Sequence, residues 1–222
     1  MARLAVFDLD HTLLSGDSDV LWCEFLIARG ALDRAAFGAR NAEVERRYRA
    51  GAIGAQAFTE FYLSTLAGRA PDALVALREA FLRECVLVRI PAAARALVDA
   101  HRERGDLLVM STATNRFLVE PTAAEFGIEH LIATEPEIVG GVFSGRALGT
   151  LNMREGKPQR LREWLAGRGL ADAALAEATA YSDSINDLPL LSAVGEPVAV
   201  DPDAVLLAHA QREGWRVLRL QR

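Results

Sequence analysis

The chain is 222 residues long, 51% apolar and 25% charged, with a formal net charge of −5. That length supports one full domain plus a modest insertion, and the composition is that of an ordinary globular protein. The negative balance argues against a general binder of nucleic acid or membrane surfaces, which needs a basic face.

In chain order, the first apolar run, LAVFDLD (4–10), reads as a strand that ends in acid. Residues 15–90 carry no convincing strand and read as four helices, at 20–30, 33–51, 55–68 and 71–85, with Gly30, Gly51 and Gly68 where C-caps belong. Strands and helices then alternate: helix 91–105, strand 106–112, helix 115–127, strand 130–134, helix 157–169, and strands 178–183, 196–200 and 215–220. Gly140-Gly141, between two short β-like runs, makes 135–145 a hairpin. The strands are continuously apolar rather than alternating, which predicts a sheet covered on both faces. The fold class is therefore α/β, a Rossmann-like, doubly wound parallel sheet. Residues 1–14 and 91–222 form its core, and 15–90 an inserted all-helical cap. Cys23 and Cys85 are far apart and in no metal-like spacing, which fits a reducing compartment. The N-terminus shows no apolar leader, and no run approaches the roughly 18 apolar residues of a membrane span. A soluble, cytoplasmic protein with no nucleic-acid or membrane partner is expected, and a homodimer is left open.

In a sheet of this kind, ligands bind beyond the carboxyl ends of the strands. Three strands end there in reactive-looking groups: Asp8-Leu9-Asp10-His11-Thr12, Ser111-Thr112-Ala113-Thr114-Asn115, and Ser182-Asp183-Ser184-Ile185-Asn186-Asp187. Lys157, after Gly156, begins a helix at a fourth place. Two apart on a strand, Asp8 and Asp10 point to the same side, and Asp183 and Asp187 bring up to four carboxylates to one edge. Two such charges about 4 Å apart repel by roughly 4 kcal/mol at an effective dielectric near 20. The cluster needs a cation or partial protonation, and all-oxygen ligands favour Mg²⁺ over Zn²⁺. Taken singly, each group has a plainer reading. Asp8-Leu9-Asp10 is a solvated turn, Asp183, Ser184 and Asn186 cap a helix, Thr112 and Thr114 belong to a polar turn, and Lys157 is a solvated helix residue. All four falling in order at strand ends or helix starts outweighs these.

FDLDHTL (7–13), the region of Thr112, Lys157 and SDSINDLP (182–189) resemble the four motifs of the haloacid dehalogenase superfamily. The helical insertion after the first motif resembles its C1-capped group. TATNRFLVEP (112–121) and GKPQRL (156–161) are most similar to the phosphoserine-phosphatase-like subclass IB. The resemblance implies a Mg²⁺-dependent phosphomonoesterase acting on a small-molecule phosphate ester through an aspartyl-phosphate. In it Asp8 is the nucleophile and Asp10 the general acid and base. Thr112, with Ser111 as the other register, and Lys157 hold the phosphoryl oxygens. Asp8, Asp183 and the main-chain carbonyl of Asp10 ligate the metal, while Asn186 and Asp187 support it. Asp10, an acid two residues after the nucleophile, excludes dehalogenation.

Asp17 stands where related phosphoserine phosphatases place an acid against the substrate amine. Residues 51–66 contain no arginine, and Glu60 lies near the place of their carboxylate-binding arginine. Arg49 and Arg69 flank this segment. Asp17 and Glu60 without an arginine suit a cationic ester, so histidinol phosphate or a similar amino-alcohol phosphate is the expected substrate. Trp22, Phe58, Phe61 or Tyr62 would stack on an imidazole, or are simply core. Phosphoserine hydrolysis, phosphoryl transfer to an acceptor, and a non-catalytic metabolite-binding module are the alternatives.

Overall fold

A computed structural model describes residues 2–220. Its seven strands are β1 (Leu4–Phe7), β2 (Leu107–Asn115), β3 (His130–Val139), β4 (Val142–Leu148), β5 (Thr179–Ser182), β6 (Glu196–Val200) and β7 (Arg216–Leu218). They form one sheet in the order β4-β3-β2-β1-β5-β6-β7, parallel throughout except for β4, which runs antiparallel to β3. Nine α-helices lie among the described residues: α1 (Ser18–Ala28), α2 (Arg34–Arg49), α3 (Ala55–Leu63), α4 (Pro71–Phe81), α5 (Ala92–Glu103), α6 (Arg116–Glu125), α7 (Gly156–Gly167), α8 (Leu188–Leu191) and α9 (Ala204–Glu213).

The continuous apolar runs are explained by two cores, one on each face of the sheet. In β1, alternate residues go to opposite sides: Ala5 and Phe7 join one core, Leu4 and Val6 the other. Ala94 and Val98 of α5 and Leu118 of α6 cover the first face. Leu161 and Leu165 of α7, Leu190 of α8 and Leu206 of α9 cover the second. A doubly wound α/β sheet results, as expected.

The four helices α1–α4 lie between β1 and α5 in the chain, followed by a π-helical turn (Leu82–Val86) and a 3₁₀ turn (Leu87–Arg89). Trp22, Phe25, Phe61 and Phe81 pack into the same hydrophobic cluster as the first sheet face. The hairpin forms with Gly140 and Gly141 at φ 60° and 83°, a turn that needs residues without a Cβ penalty. It extends the sheet rather than standing free. The Gly68 amide donates to the Phe143 carbonyl at 2.8 Å, and the Phe143 amide to that of Arg69 at 3.0 Å, which pins β4 to the α3–α4 connection. α9 lies outside the sequence expectations, as does the 3₁₀ segment Asp172–Glu177. Among the described residues no helix is long and apolar enough to cross a membrane.

A buried His101 ties α5 to the sheet. Its ring nitrogens lie 2.7 Å from Asp106 Oδ2 and 2.7 Å from the Tyr181 hydroxyl, and the residue is 4% exposed. Burial lowers its pKa, with the Asp106 hydrogen bond opposing. A base depressed in the folded state is neutral there, so its contribution is complete above the unfolded value of about 6.5. That contribution is lost as pH falls below this value and the unfolded chain takes up the proton. Thermal melting between pH 7.5 and 5 should therefore show a steeper loss of Tm in the wild type than in His101→Gln. Parallel slopes would contradict this.

Candidate active site

Because β1 is flanked by β2 and β5, the carboxyl ends of these three strands lie side by side. β1 stops at Phe7, not at residue 10 as its apolar run predicts. The amides of Thr12, Leu13 and Leu14 all turn to the Leu9 carbonyl, at 3.2, 2.9 and 2.9 Å, and His11 takes a left-handed φ of 55°. Asp8 and Asp10 thus sit in a tight turn, and the two carboxylates meet different partners.

Asp8 is 6% exposed, and its amide donates to the Tyr181 carbonyl at 3.0 Å. Its Oδ1 accepts from Lys157 Nζ at 2.7 Å and its Oδ2 from Thr12 Oγ1 at 3.0 Å. Lys157 Nζ also reaches Asp187 Oδ2 at 2.5 Å, which in turn accepts from Ser182 Oγ at 2.7 Å. Asp183 Oδ1 lies 3.2 Å from the same Thr12 hydroxyl. That hydroxyl has one proton for two carboxylates. Asp10 is held from the other side. Its Oδ1 accepts from the Ser18 amide at 2.7 Å, at the N-terminus of α1, and its Oδ2 from Thr114 Oγ1 at 2.9 Å.

Of the two candidate hydroxyls on β2, Thr112 Oγ1 faces Asp10 Oδ2 at 3.4 Å, whereas Ser111 Oγ accepts from the Asn152 amide at 3.1 Å. Asn152, which no sequence motif marked, is fully buried. Its Nδ2 also donates to the carbonyls of Thr112 and Ile132, both at 2.9 Å. It clamps the ends of β2 and β3 to the loop that leads into Lys157. That loop closes tightly over Gly156, where a Cβ would lie 2.0 Å from the Leu151 carbonyl oxygen. Only glycine fits there.

Electrostatics follow from this crowding. Burial pushes Asp8 above the ordinary carboxylate range, and the charges of Asp187 and Asp10 add to it against the opposing Lys157. Burial and then the Asp8 charge raise Asp183, and burial and then Asp17 raise Asp10. For Lys157, burial favours the neutral form, but Asp187 and Asp8 more than offset it, so the ammonium stays charged. Among the described residues Lys157 is the one cation ion-paired within this cluster. Among the described residues no three His, Cys, Asp or Glu side chains converge as a metal-binding group. Yet Asp8 and Asp183 present under-neutralised carboxylate oxygens to one shared hydroxyl, a donor set that fits a hard divalent cation completed by main-chain carbonyls and water.

Beside this cluster opens a cavity of about 390 Å³, lined by Asp17, Tyr48, Phe58, Tyr62, Arg154 and Asn186 among others. Asp17 caps α1, accepting from the Val20 amide at 2.9 Å, one residue before Ser18. Asn186 thus faces the cavity. Glu60 does not line it: on α3 its carboxylate accepts from Gln56, one helical turn earlier, at 2.6 Å. Trp22 and Phe61, 2% and 6% exposed, are core residues stacked on Phe25 and Phe37. The side chain of Arg49 lies outside the described residues, and Arg69 is not on the cavity wall. Tyr48 and Arg154 are there instead, and sequence reading missed both.

The family model for haloacid dehalogenase-like hydrolases matches residues 5–192. The chain is 40% identical to a histidinol-phosphatase of Neisseria meningitidis serogroup C, over the full length of both. It is 34% identical to a phosphoserine phosphatase of Mycobacterium tuberculosis, over 98% of this chain and 70% of that one. A crystal structure of a protein of unknown function from Bordetella pertussis Tohama I superimposes with a TM-score of 0.94 at 45% identity, covering 98% of each chain.

Replacing Lys157 with Met removes the cation from two buried carboxylates. Breaking a buried pair this way typically costs about 3–5 kcal/mol. Urea denaturation without added divalent ion should show a loss of that order. A loss below about 1 kcal/mol would mean that Asp8 and Asp187 are not held as charged partners of Lys157.

Proposed function

We propose a substrate and a route for a protein that belongs to the haloacid dehalogenase-like hydrolase family and is a phosphatase. The substrate is histidinol phosphate or a similar amino-alcohol phosphate, and hydrolysis runs through a phosphoryl group carried on Asp8. The observation that carries the route is the contact of Asp8 Oδ1 with Lys157 Nζ at 2.7 Å, with Asp10 fixed two residues away by Ser18 and Thr114. A carboxylate this close to a buried ammonium meets an incoming phosphoryl group as part of a charge-compensated pair.

An oxygen of Asp8 attacks phosphorus as the P–O bond to the leaving group breaks, and Asp10 passes its proton to the departing alkoxide oxygen. Burial and the Asp17 charge raise the Asp10 pKa, which favours the protonated form that step requires. Water then attacks the aspartyl-phosphate, its proton returns to Asp10, and inorganic phosphate leaves Asp8. Lys157 and the Thr112 hydroxyl hold phosphoryl oxygens through both steps. Mg²⁺, held by Asp8, Asp183 and the Asp10 carbonyl, would supply the positive charge that lets a phosphate approach these carboxylates. Asp187 keeps Lys157 in place, and Asn186, its neighbour in the chain, lines the cavity.

For the substrate, the support is the full-length likeness to the meningococcal histidinol-phosphatase, together with a cavity that sets Asp17 among aromatic rings. Asp17 suits the amine of the leaving group. Glu60, turned to Gln56, takes no part. One observation favours a second reading, phosphoserine: Arg154 brings to the cavity a guanidinium that residues 51–66 lack. A metabolic ester of this kind, and the two free thiols Cys23 and Cys85, suit work in the cytoplasm.

Phosphate release from histidinol phosphate and from L-phosphoserine, each with Mg²⁺ and with a chelator, tests this reading. The expected result is Mg²⁺-dependent turnover with kcat/KM for histidinol phosphate at least about tenfold higher, and near-background activity in Asp8→Asn. A preference for phosphoserine would overturn the substrate. Full activity of Asp8→Asn would overturn the route.

A further inference from the structure

Arg154 lies on the loop between β4 and α7, and its carbonyl accepts from the Lys157 amide at 3.1 Å. Its backbone φ is 51°, in the left-handed region that glycine adopts freely and arginine only at a cost. Its guanidinium carbon sits 5.0 Å from the centre of the Tyr48 ring. Tyr48 in turn stacks on Phe58, with centroids 4.5 Å apart and planes 26° from parallel, and its hydroxyl lies 3.9 Å from Met153 Sδ. The ion pairs among the described residues do not include Arg154.

A solvated arginine resting on a tyrosine needs no left-handed backbone. Strained residues of this kind persist where the surrounding structure holds them, often at functional sites. A guanidinium carries five N–H donors, so contact with one tyrosine leaves most of them available. The Arg154 guanidinium lies over the Tyr48 ring and hydrogen-bonds the Tyr48 hydroxyl, so Tyr48 positions Arg154 and leaves its remaining N–H donors on the wall of a cavity whose other charged lining residue is Asp17. The arrangement sets a positioned donor and an acid on the wall of one cavity that is also lined by aromatic rings.

We propose that Arg154 is a specificity-determining residue: it donates a hydrogen bond to an acceptor nitrogen on an aromatic ring carried by the leaving group, with that ring against the Tyr48–Phe58 stack. The inference rests on the amino-alcohol reading above and names the part of the leaving group beyond the amine. A neutral imidazole offers one donor and one acceptor nitrogen, so it suits Arg154, whereas an imidazolium offers donors only and is refused. A carboxylate would also accept from Arg154. The aromatic wall favours a flat ring.

The test compares three esters that share a primary amine: histidinol phosphate, L-phosphoserine and phosphoethanolamine. Arg154→Gly is the variant of choice, because glycine takes φ 51° without strain, and Arg154→Ala is the second. In both, kcat/KM for histidinol phosphate should fall about tenfold to a hundredfold, mainly through KM, and that for phosphoethanolamine should stay within about twofold. In the wild type, the preference for histidinol phosphate over phosphoethanolamine should shrink as pH falls below about 6.5, where the imidazole takes up a proton. The variants should lose that dependence. An equal fall for all three esters would overturn the proposal, because Arg154 would then serve phosphoryl transfer or folding. A fall confined to phosphoserine would make it a carboxylate anchor and overturn the ring assignment. No change would reduce it to a solvated side chain. Wild-type failure on histidinol phosphate, with turnover of another ester, would reject the amino-alcohol reading itself and the ring with it. Retained turnover with unchanged variants would reject only the role of Arg154.

Discussion

A shortage of positive charge governs this molecule. Asp8, Asp10, Asp183 and Asp187 are drawn together in and around the buried carboxyl edge of a sheet, with Lys157 the cation bonded to two of them. Burial makes every uncompensated charge expensive, which is why the carboxyls of Asp8, Asp10 and Asp183 are held above their ordinary range while Lys157 stays protonated. In the proposed reaction a divalent cation would supply the positive charge the cluster lacks.

The sheet makes the convergence inevitable. β1 lies between β2 and β5, so residues from chain segments more than a hundred positions apart emerge at one edge. Local devices then aim them. The Leu9 carbonyl gathers three amides and turns the chain after Asp8. Asn152 clamps β2 and β3, and Gly156 lets the loop close so that Lys157 enters the cluster from α7. The α1 N-terminus presents the Ser18 amide to Asp10, which couples α1 to the acid proposed to protonate the leaving group.

Much of this was legible beforehand, for physical reasons. Runs such as Leu4–Phe7 are apolar at every position because both faces are covered, and that pattern implies a doubly wound sheet. The acids at strand ends were visible because charge at the end of a buried strand is costly and so needs a purpose. What stayed hidden depends on contacts across the chain. Tyr48 and Arg154 are separated by about a hundred residues, and scanning residues 51–66 for an arginine could not find one carried by the loop before Lys157. The place of Glu60 along the chain suggests a substrate contact, but helix geometry turns it to Gln56 four residues earlier. The end of β1 was missed because an apolar run does not reveal where amides converge on one carbonyl. Asn152 carried no motif at all, since its importance lies in carbonyls contributed by other strands.

The central claim is that Asp8 takes the phosphoryl group. The most direct measurement is to mix enzyme, Mg²⁺ and histidinol phosphate, quench in acid within one turnover, and locate the phosphoryl group by peptide mass spectrometry after borohydride reduction, which converts an aspartyl-phosphate to homoserine. Homoserine is expected at position 8 and nowhere else. Modification at another residue, or turnover with Asp8 never modified, would contradict it.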